Sequence, residues 1–233
     1  MNSRRQLKSG LFLALLLGVT AGVVSAQVAP TAGETAGYSG LFAAAARGNA
    51  AEISRLAAAG ANVNAREAYG RTPLHVATFA RHRDAIAALA KAGADLNLLE
   101  RDRYDAVTIA AVGDDAASLR LLLQLNASAK QVTSRYDGTA LIAAAHLGHG
   151  EVVKLLIAAG APLDHVNNLG WTALIESIVL GDGGPRHVET LHAIVRAGAN
   201  VNLADRNGQT PLQLARQRGY RAMVAILEQS AAR

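Results

Sequence analysis

The 233-residue chain contains no cysteine. In a protein that begins with an export-like segment, this excludes disulfide staples, a lipid-modified cysteine anchor and thiolate chemistry, so stability has to come from packing. Aromatic residues are scarce at 4%, which makes the position of each ring informative. Acidic residues are absent from positions 1 to 26, where Arg4, Arg5 and Lys8 precede an apolar run from Leu11 to Val24 ending in Val24-Ser25-Ala26. Charged, apolar and small-residue regions in that order predict a signal peptide cleaved after Ala26. The run is also too short for an anchor. At ~1.5 Å per residue it reaches roughly 21 Å against a hydrocarbon core of ~30 Å, so no stable membrane insertion is expected after cleavage. The stretch SRRQLK is similar to a twin-arginine signal but lacks its phenylalanine, and the general secretory route is expected. The mature protein is therefore expected in the periplasm or outside the cell.

Removing residues 1 to 26 takes away three Lys or Arg and no Asp or Glu, so the net charge drops from +5 to +2. The remaining charges are interspersed, which argues against a nucleic-acid partner, since such binding needs a concentrated basic face. Residues 27–37, QVAPTAGETAG, show no apolar periodicity and read as a flexible linker. Beyond them a hydrophobic content of 51% is spread evenly, consistent with one continuous core.

What is present is repetition. The turns GANVN at 60, GADLN at 93, NASAK at 126, GAPLD at 160 and GANVN at 198 recur at intervals of 33, 33, 34 and 38 residues. Eleven or twelve residues after each comes a helix-opening stretch: RTPLHVATFA at 71, YDAVTIAA at 104, GTALIAAAHLGH at 138, WTALIESIVLGD at 171 and QTPLQLARQRGY at 209. Pro73 and Pro211 suit a first helical turn, where a missing N–H costs nothing, and Thr72 and Thr210 supply a capping hydroxyl. In the third unit Asp105 replaces the threonine, and an aspartate caps equally well. Large Leu74, Leu141, Leu174 and Leu212 alternate with small Ala77, Ala144, Ser177 and Ala215, a pattern for close helix packing. Gly60, Gly93, Gly160 and Gly198, with Asn126 in the third unit, are placed to end the second helices in a left-handed conformation.

A 33-residue period combined with Thr-Pro-Leu-His resembles the ankyrin repeat family over residues 38–233. Six units fit: about 38–66, 67–99, 100–132, 133–166, 167–204 and 205–233. The expected fold is an all-α solenoid of helix-turn-helix units with short β-hairpin tips. The resemblance implies a non-catalytic scaffold without cofactors that binds another protein on a concave surface made of hairpin tips and first helices. Exported bacterial members of this length look like accessory factors that hold or protect another envelope protein, or that antagonise a toxin. Polar ends, with Arg47, Asn49, Glu52 and Arg55 in the first unit and Arg216, Arg218, Arg221 and Glu228 in the last, predict a capped monomer.

No catalytic or metal constellation emerges. The stretch GDGGP at 181 lacks the basic residue of a phosphate loop. His75, His82 and His149 occupy ordinary repeat positions, and His146 with His149 has no third ligand for zinc. Glu176 stands out, because Val76, Ile109, Ala143 and Leu214 occupy its register elsewhere. A bare buried carboxylate costs several kcal/mol, so Glu176 has to be paired. It is expected to clasp the five-residue insertion of its own unit through Gly183, Gly184 or Arg186; a catalytic carboxylate is the sharper alternative. For partner binding, Tyr69, Tyr104, Tyr136 and Trp171 precede the first helices of four consecutive units. They are expected to form one ring ladder joined by Arg71, Arg101, Arg135 and Arg206, and backed by Phe79, His146 and Leu180. The alternative is that the rings pack tip against tip and only stabilise.

Overall fold

A computed structural model describes residues 27–231. The signal peptide expected over residues 1–26 lies outside the described residues. Six helix pairs follow one another: α2 (Gly40–Ala46) with α3 (Ala50–Ala58), α4 (Pro73–Phe79) with α5 (Arg83–Lys91), α6 (Ala106–Val112) with α7 (Ala116–Gln124), α8 (Ala140–Leu147) with α9 (Gly150–Ala158), α10 (Ala173–Val179) with α11 (Pro185–Arg196), and α12 (Pro211–Gln217) with α13 (Arg221–Ala231). Each pair falls within one sequence unit.

The starts and stops follow the local chemistry. Thr72, Thr139, Thr172 and Thr210 each accept a backbone N–H three residues on through the side chain. Asp105 does the same for Thr108 at 2.7 Å, so the aspartate substitution leaves the cap intact. Gly60, Gly93, Gly160 and Gly198 have φ between +78° and +95°, and Asn126 takes +66° in the one unit that lacks the glycine.

First helices stack in one layer, α2 on α4, α6, α8, α10 and α12, and second helices in another, α3 on α5 through to α13. No pair can bury its own apolar face, so each unit uses its neighbours. Leu74, Leu141 and Leu174 meet Ile53, Ile86, Leu119, Leu156 and Ile194 in one continuous core. Ala77, Ala144, Ser177 and Ala215 are fully buried, which is where adjacent first helices come close.

The tips differ from the expected hairpins in detail. One tip forms a ladder among the described residues: β1 (Val132–Thr133) and β2 (Gly138–Thr139) pair antiparallel, Val132 opposite Thr139. Four others are tight loops, closed by Glu67 N–H on Arg71 O, Glu100 on Tyr104, Asn167 on Trp171 and Asp205 on Gln209 at 2.9–3.1 Å.

Residues 27–37 also depart from expectation. They include a capped helix, α1 (Ala32–Gly37), in which Thr31 Oγ1 accepts Glu34 N–H and Glu34 Oε2 accepts Thr31 N–H. A six-residue helix does not hold itself in water. This one is fixed from outside by Arg71.

Candidate interaction surface

Each of the four loop tips is built around one side chain that sequence reasoning passed over. Glu67 Oε1 accepts Tyr69 and Arg71 N–H, Glu100 Oε1 accepts Asp102 and Tyr104, Asn167 Oδ1 accepts Leu169 and Trp171, and Asp205 Oδ1 accepts Asn207 and Gln209, all at 3.0 Å or less. The pattern of an acceptor side chain serving backbone donors two and four residues on was readable in principle, as an extended Asx-type turn.

The arginines expected to join a ring ladder stitch the tips together instead. Arg101 donates to Ala68 O at 2.6 Å, Arg135 to Asp102 at 3.3 Å, and Arg206 to Asn168 O. Their side chains remain exposed at the outside of these links. Arg71 is different. It is 1% exposed, with its guanidinium shared among Glu67, Glu34 and the Val28 carbonyl. As the protein stands, Arg71 is not available to a partner, which corrects its assignment as a surface contact.

The rings do not form one ladder either. Tyr69 and Tyr136 lie three residues before the helix cap, Tyr104 and Trp171 one residue before it, so they occupy two different places on the tip. Tyr104 is 7% exposed and belongs to the core, a second correction. Tyr136 and Trp171 are half-buried. Tyr69 is open at 42%, and the guanidinium carbons of Arg71 and Arg101 lie 4.6 and 5.4 Å from its ring centroid. Phe79 and His146 are half-buried on the first-helix face, and Leu180 is 43% exposed at the end of α10. Sequence reasoning missed Val132, Val166 and Leu169, all large apolar side chains exposed at the tips of the fourth and fifth units. Exposed aliphatics without a ring or a charge carry no compositional flag, which is why they were passed over.

Glu176 is buried and does not clasp the insertion, a third correction. Its Oε1 accepts Asn167 Nδ2 at 2.7 Å, and Oε2 faces His146 Nδ1 at 3.6 Å. Burial pushes its carboxyl up to about 7, against the lowering effect of Asn167. Burial, with His187 and His149 nearby, pushes His146 below its ordinary value. Near neutral pH the two groups are thus held toward their uncharged forms, and their approach is not a strong buried ion pair.

The insertion has its own fastening. Tyr220 OH donates to Gly181 O at 3.0 Å, Gly184 N–H donates to Asp182 Oδ1 at 2.8 Å, and His187 meets Asp182 at 2.8 Å and His146 O at 2.9 Å. Arg186 Nε donates to Gly148 O at 3.3 Å. Gly183 is required here: its φ is +70°, and a Cβ would come within 2.4 Å of the Tyr220 ring. Part of the extra length extends α11, which has twelve residues against nine in α9.

Three other histidines, His75, His82 and His149, hold neighbouring units together. His75 bonds Thr72 through Nδ1 and the Leu98 and Tyr104 carbonyls through Nε2, and burial lowers its pKa to about 4. His82 and His149 each reach a carbonyl of the preceding unit, Ala46 and Ala111. Among the described residues no group of three or more His, Cys, Asp or Glu is arranged to hold a metal, and no helix is long and apolar enough to cross a membrane. A groove of about 450 Å³ between α9 and α11, lined by Lys154, Glu189 and His192 among others, contains neither Glu176 nor His146.

Stacked helix pairs, stitched tips and an inner face bearing exposed Tyr69, Leu169 and Leu180 define a repeat protein of the interaction class, and among the described residues no catalytic cluster surrounds the buried Glu176. The ankyrin repeat family model matches residues 8–100 and 107–205, and the chain belongs to that family. The ankyrin repeat protein YahD of Escherichia coli K12 is 32% identical over 79% of this chain and 92% of its own length. Among solved structures, an ankyrin repeat domain from Acinetobacter baumannii superposes with a TM-score of 0.78 at 42% identity, over 82% of this chain and 97% of that one. A structure of a predatory endopeptidase from Bdellovibrio bacteriovorus in complex with an immunity protein matches with a TM-score of 0.68 at 21% identity, over 82% of this chain and 98% of that one; this is a likeness of fold.

Proposed function

We propose that the protein is a monomeric, non-catalytic protein-binding scaffold of the bacterial cell envelope, exported by a signal peptide ending at Ala26. Ankyrin repeats are interaction modules, and the feature that carries the reading for this chain is its exposed apolar set. Tyr69, Val166, Leu169 and Leu180 lie outside a core that is otherwise well packed, at the tips and on the first-helix side. Large apolar side chains left in water at one rim are the mark of a contact surface. Tyr136, Trp171 and His146, half-buried between them, supply the edges of that surface.

Two experiments test this. Amino-terminal sequencing of protein from the native host is expected to begin at Gln27, and intact Met1 material in the cytoplasm contradicts export. A photo-crosslinkable residue at position 169 or 180 is expected to trap the same partner protein, while one at His192 on the outer groove traps none. The chemistry of the trapped protein then decides whether the scaffold protects an enzyme or restrains a toxin. Crosslinks from His192 alone overturn the choice of face.

A further inference from the structure

Arg71 is the one arginine of the tips that is wholly buried, and what buries it is the chain's own amino-terminal segment. Nη2 donates to Glu34 Oε1 at 2.9 Å and Nη1 to the Val28 carbonyl at 3.0 Å. These partners lie 37 and 43 residues back in sequence. Gln27, at the far end of the segment, lines a cavity of about 190 Å³ together with Thr78 and Phe79 of α4 and Ile109 of α6. The segment therefore runs over the first helices of the second and third units, on the face assigned above to binding.

The way it is held is unusual for structural chain. None of the residues of α1 is buried, and Val28 is 49% exposed. The segment buries no apolar side chain; beyond the contact of α1 with α2 and the Gln27 side chain, it is retained by charge-assisted hydrogen bonds to one guanidinium. By contrast, Arg71 is secured independently of it. Glu67, on the same tip, receives Nε at 3.0 Å and Nη2 at 3.3 Å, and is itself fixed by the backbone N–H groups of Tyr69 and Arg71. The Tyr69 ring lies over the same guanidinium. With the segment gone, the guanidinium keeps its orientation and presents two N–H groups with no acceptor. A planar, pre-oriented fork of this kind selects a carboxylate.

We propose that residues 27–37 are a displaceable occupant of a peptide-binding site on the inner face of the second and third units, anchored at Arg71, and that the partner enters with an extended acidic segment whose carboxylate replaces that of Glu34. This rests on the scaffold reading and names the chemistry of its partner. While the protein is unbound, the segment satisfies the Arg71 N–H groups that Glu67 does not reach. It also raises the threshold for binding, because only a chain that supplies both a carboxylate and a backbone carbonyl recovers what is lost on displacement.

The test needs no natural partner, so it fails or succeeds separately from the scaffold reading. Hydrogen exchange on the purified protein is expected to show protection at Thr35 and Tyr38, whose N–H groups bond within the segment. Glu34→Ala is expected to reduce that protection at least tenfold while α4 and α6 exchange as before. A fluorescent synthetic peptide of residues 27–37 is then expected to bind the Glu34→Ala protein at least tenfold more tightly than the wild type. The same peptide with Gln in place of Glu34 is expected to bind the variant at least tenfold more weakly than the parent peptide does. Free-chain exchange of residues 28–38 in the wild type overturns the proposal. So does equal binding of the peptide to both proteins, or equal binding of the two peptides to the variant.

Discussion

Asn167 donates Nδ2 to Glu176 Oε1 at 2.7 Å while its Oδ1 accepts the N–H groups of Leu169 and Trp171. The other tips built on this loop carry Glu67, Glu100 and Asp205 at that place, and the first helices behind them carry Val76, Ile109 and Leu214 where the fifth unit has Glu176. A carboxylate at the tip serves backbone donors but has nothing to give to a second carboxylate. An amide serves both. Glu176 is tolerated in the core because its own unit exchanged the tip acid for an asparagine.

The first prediction follows from that pairing. Asn167→Asp keeps the loop bonds but sets two carboxyl groups against each other, and is expected to cost about 1–3 kcal/mol. Adding Glu176→Leu recreates the acid-plus-aliphatic combination of the other units and is expected to recover most of the loss, a coupling of about 1 kcal/mol or more in a double-mutant cycle. Thermal unfolding of the four proteins checks it, and additive effects contradict the pairing.

The second prediction concerns pH. Glu176 has its folded pKa raised from 4.5 to about 7. The folded state therefore holds a proton that the unfolded state releases, and stability falls as pH rises through 4.5 to 7, by roughly 3 kcal/mol in all. His75 has its pKa lowered from 6.5 to about 4. There the unfolded state takes up the proton first, and stability falls as pH drops from 6.5 toward 4 by a similar amount, roughly 3 kcal/mol. The two contributions oppose each other over the shared window. Glu176→Gln removes one of them, so between pH 6.5 and 5 the variant is expected to lose about 2 kcal/mol more than the wild type. Denaturant melts at the two pH values measure this; parallel profiles contradict the assignment.

Gly183 supplies the third. Gly183→Ala has to accept φ of +70° and a methyl group against the Tyr220 ring, and is expected to cost about 1–3 kcal/mol. Tyr220→Ala loses the bond to Gly181 O but clears the space. Calorimetry of the double variant is expected to show much less than the sum of the two losses, and full additivity contradicts the contact.

How far the molecule was legible follows from the range of each interaction. The 33-residue period, the Thr and Asp caps and the glycine stops obey rules spanning a few residues, so unit limits and helix starts could be read directly. Glu176 was recognisable as a buried carboxylate from register alone. Its partner was not, since the insertion offered nearer polar groups than Asn167, and only the fold brings the tip over the helix. Arg71 was misplaced for the same reason: the residues that bury it lie in a stretch without apolar pattern, whose helix depends on a contact with the repeats. The ring ladder failed because residues three and one before a cap face different ways.

The central claim is that the rim carrying Tyr69, Leu169 and Leu180 binds a protein. The affinity of the crosslinked partner for Leu169→Ala, Leu180→Ala and His192→Ala proteins tests it most directly. The first two are expected to weaken binding about tenfold or more each, equivalent to about 1.4 kcal/mol, with unfolding free energies within about 0.5 kcal/mol of wild type. His192→Ala is expected to bind normally. Unchanged affinity for both leucine variants, with a loss at His192, places recognition on the second-helix side and contradicts the account.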